Sequence, residues 1–198
     1  MGSGLYGMLV MVILSVFIAG LMVGRTPELL GKKIEAREIK LTVIGTIAVP
    51  LLVLVATALA IATKWGVPSI YDDGPQGFSE TLYAYASQAN NNGSAFAGYT
   101  GYLQPDGTNA GAFGITFADL LGGVAMLLGR FMPMLAVLAV AGSLAGKKVS
   151  PPGLGTLRTD TPTFAVVLIS VVLIVALLTF VPALLLGPVV QGLSDQLY

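Results

Sequence analysis

The chain is 198 residues long, 55% hydrophobic and only 10% charged, with a mean hydropathy of +0.86, against roughly 25% charged residues in ordinary soluble domains. That composition excludes a soluble globular fold and predicts an all-α integral membrane protein. With no cysteine and no histidine, the chain has neither thiolate nor imidazole chemistry, which excludes zinc sites, cysteine nucleophiles and Ser-His-Asp triads.

The first uncharged run, residues 4–24, is long enough at about 1.5 Å per residue to cross roughly 30 Å of hydrocarbon. It lacks a basic segment before it, so it reads as a spanning helix and not as a signal peptide. Residues 25–40 follow as a loop carrying Arg25, Lys32, Lys33, Arg37 and Lys40. There Thr26 and Pro27 suit the cap and first position of a short helix. The loop reads either as a solvated interfacial helix or as a docking surface for a cytoplasmic partner.

A second spanning run covers 41–63. Beyond it Trp65 and Tyr71 suit an interfacial aromatic belt. Asp72, Asp73, Glu80 and Asp106 outnumber the nearby Lys64. They read equally as solubilising acids or as a cation-attracting mouth.

Residues 77–98 form a polar segment between apolar stretches. Its first half, about 79–88, has helical composition but is too short to span. The second half gathers Asn90, Asn91, Asn92, Gly93 and Ser94. A short re-entrant pore helix followed by a filter loop is how channels present backbone carbonyls to a dehydrated cation. Gly93 permits the backbone angles that turn carbonyls inward, and the amide and hydroxyl side chains tie the loop from behind. The preceding helix would aim its negative dipole end at the ion. Potassium contact is placed at Asn92 and Gly93.

The third apolar region, 110–146, exceeds one crossing and contains Gly122, Gly123, Gly129 and Pro133, a pattern that predicts a broken helix. Arg130 lies near its centre, where an unpaired guanidinium costs a few kcal/mol on insertion scales. Two readings stand for it: a structural tie to carbonyls or a carboxylate, or a fixed positive charge that gates passage or limits ion occupancy. Asp119 lies about three turns away, nearer the mouth. A second basic loop, 147–162, carries Lys147, Lys148 and Arg158. A fourth span runs from about 163 to 190, giving four transmembrane helices. Eight of the ten basic residues occupy the two loops. The positive-inside rule therefore puts both loops in the cytoplasm and both termini outside. An N-out start predicts that the chain is part of something longer.

Gly4-Leu-Tyr-Gly-Met8, Phe17-Ile-Ala-Gly-Leu-Met22, Gly24-Arg-Thr-Pro-Glu28, Leu30-Gly-Lys-Lys-Ile34, Gly77-Phe-Ser-Glu80, Ala89-Asn-Asn-Asn-Gly-Ser-Ala-Phe-Ala-Gly98, Gly129-Arg-Phe131 and Ala141-Gly-Ser-Leu144 together resemble the KdpA family. These are the potassium-binding, channel-like subunits of bacterial Kdp potassium-importing P-type ATPases, similar in turn to Trk, Ktr and HKT transporters. The resemblance implies linked membrane-pore-membrane repeats whose loops build one filter in the bacterial inner (plasma) membrane. It implies a C-terminal part of such a subunit: 1–24 closing the preceding repeat, 25–40 a cytoplasmic loop, 41–146 a complete repeat with pore helix and filter at 77–98, 147–162 a cytoplasmic loop, and 163–198 a C-terminal transmembrane helix and tail. Residues Asn90 to Ser94 would supply one quarter of the filter, and Arg130 the intramembrane arginine.

The implied cargo is the potassium ion, and the implied partners are KdpB, which hydrolyses ATP, with KdpC and KdpF. The chain itself has no phosphate loop or phosphorylatable aspartate motif and is expected not to be an enzyme on its own. Its length, short for that family, predicts a fragment or an internal start. Two other readings remain: an autonomous single-repeat cation channel assembling as a homo-oligomer, and a noncatalytic membrane scaffold.

Overall fold

Among the described residues, four helices are long and apolar enough to cross a membrane, and the predicted all-α class is observed. The computed structural model describes residues 4–72, 74–94, 98–101, 115–151, 153 and 156–193. Helix α1 is Leu5–Val23 and α2 is Ala36–Ala62. A single helical turn, Val67–Ser69, precedes α3, Gly74–Ala89. Helices α4, Phe117–Ala145, and α5, Pro162–Leu193, complete the set. Within α2, the Thr42 and Thr46 hydroxyls donate to the carbonyls of Glu38 and Thr42 at 2.8 and 2.9 Å. An apolar helix thereby carries hydroxyls whose donors are satisfied internally.

The chain forms two compact units, Met1–Ala48 with Met132–Leu177, and Val49–Phe131 with Leu178–Tyr198. In the first, the loop after α1 is a two-stranded antiparallel hairpin and not the predicted interfacial helix. Strand β1, Glu28–Leu29, pairs with β2, Lys32–Lys33. Both turn residues, Leu30 and Gly31, have positive φ, 51° and 72°, as a two-residue type I′ turn requires. A leucine in that position is uncommon, which is why the sequence signal is faint. A Cβ on Gly31 would lie 2.8 Å from Val149 Cγ1, so the turn packs directly on the segment after α4. Helix α2 also begins at Ala36, five residues before the expected 41, and shortens the loop.

That packing joins the two basic loops. Lys147 donates to the Lys33 carbonyl at 2.9 Å and pairs with Glu35 at 3.0 Å and Glu38 at 2.7 Å. Ser143 donates to the other Glu38 oxygen, and the Glu35 N–H to Glu38 Oε2 at 2.8 Å. Lys32 donates to the Leu144 carbonyl at 2.6 Å, and Thr156 to Glu28 at 3.0 Å. Ile13, Ile34, Ile39 and Val140 form the apolar cluster of this unit.

In the second unit the core is built by Val49, Val53, Ala56 and Ala60 of α2, Leu82 and Tyr85 of α3, and Ala118 and Ala125 of α4. Helix α4 runs unbroken through Gly122, Gly123, Gly129 and Pro133, correcting the predicted break. Its N-terminus carries a reciprocal cap. Asp119 accepts from the Thr116 N–H and hydroxyl at 3.0 and 2.9 Å, and the Thr116 hydroxyl accepts from the Asp119 N–H at 3.2 Å. This capping box gives the partner that Asp119 lacked in the sequence. Thr116→Ala, which removes the N-cap side chain, is expected to destabilise the fold by about 1 kcal/mol, readable as a lower melting temperature in detergent, with Thr116→Ser losing less.

Candidate functional site: the loop after helix α3

Helix α3 is longer than predicted, starting at Gly74, and polar residues are among those it buries. Ser79, Glu80, Thr81 and Ser87 are all hidden. The Thr81 hydroxyl is satisfied by the Gly77 carbonyl at 2.7 Å. The helix ends in a left-handed cap at Asn91, φ 59°. The Asn92 N–H bonds the Ser87 carbonyl at 2.9 Å and the Asn91 N–H the Gln88 carbonyl at 2.8 Å, the paired bonds of a Schellman motif. The Asn90 amide donates to the Ala86 carbonyl at 2.7 Å.

The five predicted loop residues therefore divide by role. Asn90 and Asn91 close the helix. Asn92, Gly93 and Ser94 leave it and are exposed. Gly93 has φ 84°, and the space where its Cβ would stand is open to 4 Å. Its glycine answers a backbone requirement and not a steric one. Ser94 Oγ is the knot behind the loop: it shares hydrogen bonds with Tyr83 Oη at 2.9 Å and Ser87 Oγ at 3.1 Å, and accepts from Asn92 Nδ2 at 3.1 Å.

Helix α4 fixes this end of α3. A Cβ on Gly129 would collide with the Ala89 carbonyl, and one on Gly122 would meet Gln88 Oε1 at 2.5 Å. Between them, Asn91 Nδ2 donates to the Met126 carbonyl at 3.2 Å. Positions 122, 126 and 129 share one helical face. The glycines thus serve close approach rather than bending.

Beyond the loop, Tyr71 N–H bonds the Gly98 carbonyl at 2.7 Å and Thr100 N–H the Ser69 carbonyl at 3.1 Å. Tyr99 reaches Tyr85, with hydroxyls 2.5 Å apart and both side chains buried. The sequence reading missed both this pairing and the contact of Gly98 with the Glu80 carboxyl. The motif Gly77-Phe-Ser-Glu80 was the available signal, since a glutamate inside an otherwise uncharged α3 has to be accommodated. Asp73, Asp106, residues 95–97 and most of the expected exit loop lie outside the described residues. Arg130 is exposed on α4 and makes no ion pair or hydrogen bond among the described residues. Trp65, also exposed, lies 6.3 Å from Phe117 ring to ring, with Lys64 over its face at 5.5 Å.

A polytopic helical membrane protein with a polar helix-and-loop segment between its apolar helices is the class that these features define. The family model described as "KdpA: Potassium-transporting ATPase A subunit" matches residues 1–193, and the chain belongs to that family. Similar relatives include the potassium-transporting ATPase potassium-binding subunits of Paracidovorax citrulli, 54% identical over 98% of this chain and 30% of the relative, and of Sorangium cellulosum, 53% identical over 98% and 31%. That of Geobacter metallireducens is likewise 53% identical over 98% and 31%. The chain spans about three-tenths of the length of these relatives. The expected assignment to the C-terminal part of a longer subunit does not stand. The relatives supply a shared stretch of three-tenths of their length, and the chain is taken as that stretch with no end of a longer protein assigned to it.

Proposed function

We propose that this chain contributes part of a potassium filter to the potassium-binding subunit of an ATP-driven uptake complex in the bacterial plasma membrane. The observation that carries the proposal is the loop at Asn92, Gly93 and Ser94. It leaves the C-terminal end of α3 in a left-handed backbone, tied from behind by the Ser94 hydroxyl. Carbonyls of such a loop replace the hydration shell of potassium without a net charge that would trap it, and the helix end adds a cation-favouring field. Asn90 and Asn91 hold the loop on α3 and α4 rather than meeting the ion.

In this reading residues 41–146 are one membrane-pore-membrane repeat, and the filter is completed by further repeats outside this chain. Arg130, whose positive charge repels a cation, acts as a fixed charge beside the path rather than as a ligand. The basic loops face the cytoplasm. ATP hydrolysis belongs to a partner corresponding to KdpB, and KdpC and KdpF complete the complex.

The test is potassium flux into liposomes. The chain reconstituted alone is expected to give none, while a complex assembled with the full-length subunit gives potassium-dependent ATP hydrolysis and uptake. Selective flux from this chain alone, without ATP, would replace the proposal with an autonomous channel built from several copies.

A further inference from the structure

Glu80 is 1% exposed, and its Oε2 is buried with no hydrogen bond among the described residues. A carboxylate in that position would be costly to leave charged and unpaired. Burial is the main influence that favours its protonated form; the Asp72 carboxyl, hydrogen-bonded to Glu80, adds to it, and a hydrogen bond from the Asp72 backbone opposes it. The surroundings therefore suit the neutral acid.

Where this carboxyl sits is the informative point. Its oxygens fill the space that a Cβ on Gly98 would need. Gly98 lies just after the loop, and its carbonyl is bonded by the Tyr71 N–H next to Asp72. The strand-like pairing of Ile70 with Tyr99 continues the same contact. Glu80, nearly two turns into α3, thus stands where the segment entering the helix and the segment leaving the loop meet.

We infer that Glu80 is a positioning residue: a brace whose carboxyl seats the backbone at Gly98 and so sets the loop formed by Asn92 to Ser94 for the cation. The inference rests on the filter reading above. Gly98 is glycine because the brace occupies its side-chain volume. Glu80 itself does not meet the ion.

The experiment uses the full-length subunit in the assembled ATPase and reads both the potassium half-saturation and the maximal rate of potassium-stimulated hydrolysis. Glu80→Ala is expected to raise half-saturation about tenfold while leaving the maximal rate within about twofold. Glu80→Gln, neutral and of the same size, is expected to stay within about threefold of wild type. Gly98→Ala is expected to be as harmful as Glu80→Ala. The double variant should be no worse than Glu80→Ala alone, because the new methyl enters the vacated space. If Glu80→Ala reduces the amount of complex, Glu80→Gln and Gly98→Ala supply the comparison.

Unchanged half-saturation in Glu80→Ala, a Glu80→Gln variant as defective as Glu80→Ala, or independent multiplication of the two single effects would each overturn the brace. Failure of the filter reading looks different. There Gly93→Ala leaves half-saturation unchanged whatever Glu80 does.

Discussion

Replacing Gly93 with alanine is expected to raise the potassium half-saturation of the assembled transporter about tenfold and to narrow its preference for potassium over sodium. The backbone at Gly93 has φ 84°, a conformation that costs a residue with a Cβ roughly 1–2 kcal/mol, and about 1.4 kcal/mol is a factor of ten in binding. Because the space around that position is open, the effect is conformational and not a clash. Gly93→Asn is therefore expected to be milder, about threefold, since asparagine tolerates left-handed backbone at lower cost. Gly123→Ala is the matched control: its surroundings are equally open, it lies inside α4, and its φ is not positive. Potassium titration of ATP hydrolysis gives the half-saturation, and competition by sodium gives the preference. A Gly93→Ala variant with unchanged affinity would remove Gly93 from the filter.

The second large effect is expected at Lys147. Removing it leaves Glu38, whose side chain is 1% exposed, without a counter-charge and held by Ser143 and the Glu35 N–H. Because Lys147 is itself partly exposed, the loss is expected at about 2 kcal/mol, below the roughly 3–5 kcal/mol of a fully buried pair. Burial draws the Lys147 ammonium down, but its hydrogen bonds and charge pairing with Glu38 and Glu35 outweigh this and hold it above the ordinary lysine range. A raised lysine contributes fully below its unfolded value and loses that contribution only as pH rises through the folded one. The clasp therefore stays charged throughout the neutral range, and its lysine half is lost only in strong alkali. Lys147→Ala is expected to lower the melting temperature of the detergent-solubilised protein by several degrees. Lys148→Ala, at the next residue and without these contacts, is expected to change it little. A double variant, Lys147→Ala with Glu38→Gln, should recover part of the loss, since no charge is then left buried alone. Equal melting temperatures for Lys147→Ala and wild type would show that the clasp carries no stability.

The spanning helices were legible because hydropathy and length are properties of a single segment. The polar interruption at 77–98 was legible for the same reason, although α3 began earlier than composition suggested. What remained hidden depends on a neighbour. Gly122 and Gly129 look like helix breakers until α3 is laid against them. Leu30-Gly31 lacks the asparagine or aspartate that announces a hairpin turn, so Thr26-Pro27 looked like a helix start. The two basic loops looked like separate solvated segments, because the acids that join them, Glu28, Glu35 and Glu38, are scattered among the bases. Within the candidate site, the residue types were evident from Asn90 to Ser94. The division of labour between helix cap and free loop appeared only with the backbone angles and the Asn91 and Asn92 hydrogen bonds.

Arg130 stands bare on α4, with no ion pair or hydrogen bond among the described residues. Were it left against hydrocarbon, insertion scales would charge roughly 3 kcal/mol for it, about a hundredfold in an equilibrium. Covering it with other protein or with a wet cavity removes that penalty. The guanidinium thereby links two equilibria, membrane insertion and association with neighbours. A solitary copy is therefore expected to sit less securely in the bilayer than one whose Arg130 is covered, so that membrane residence would report on assembly.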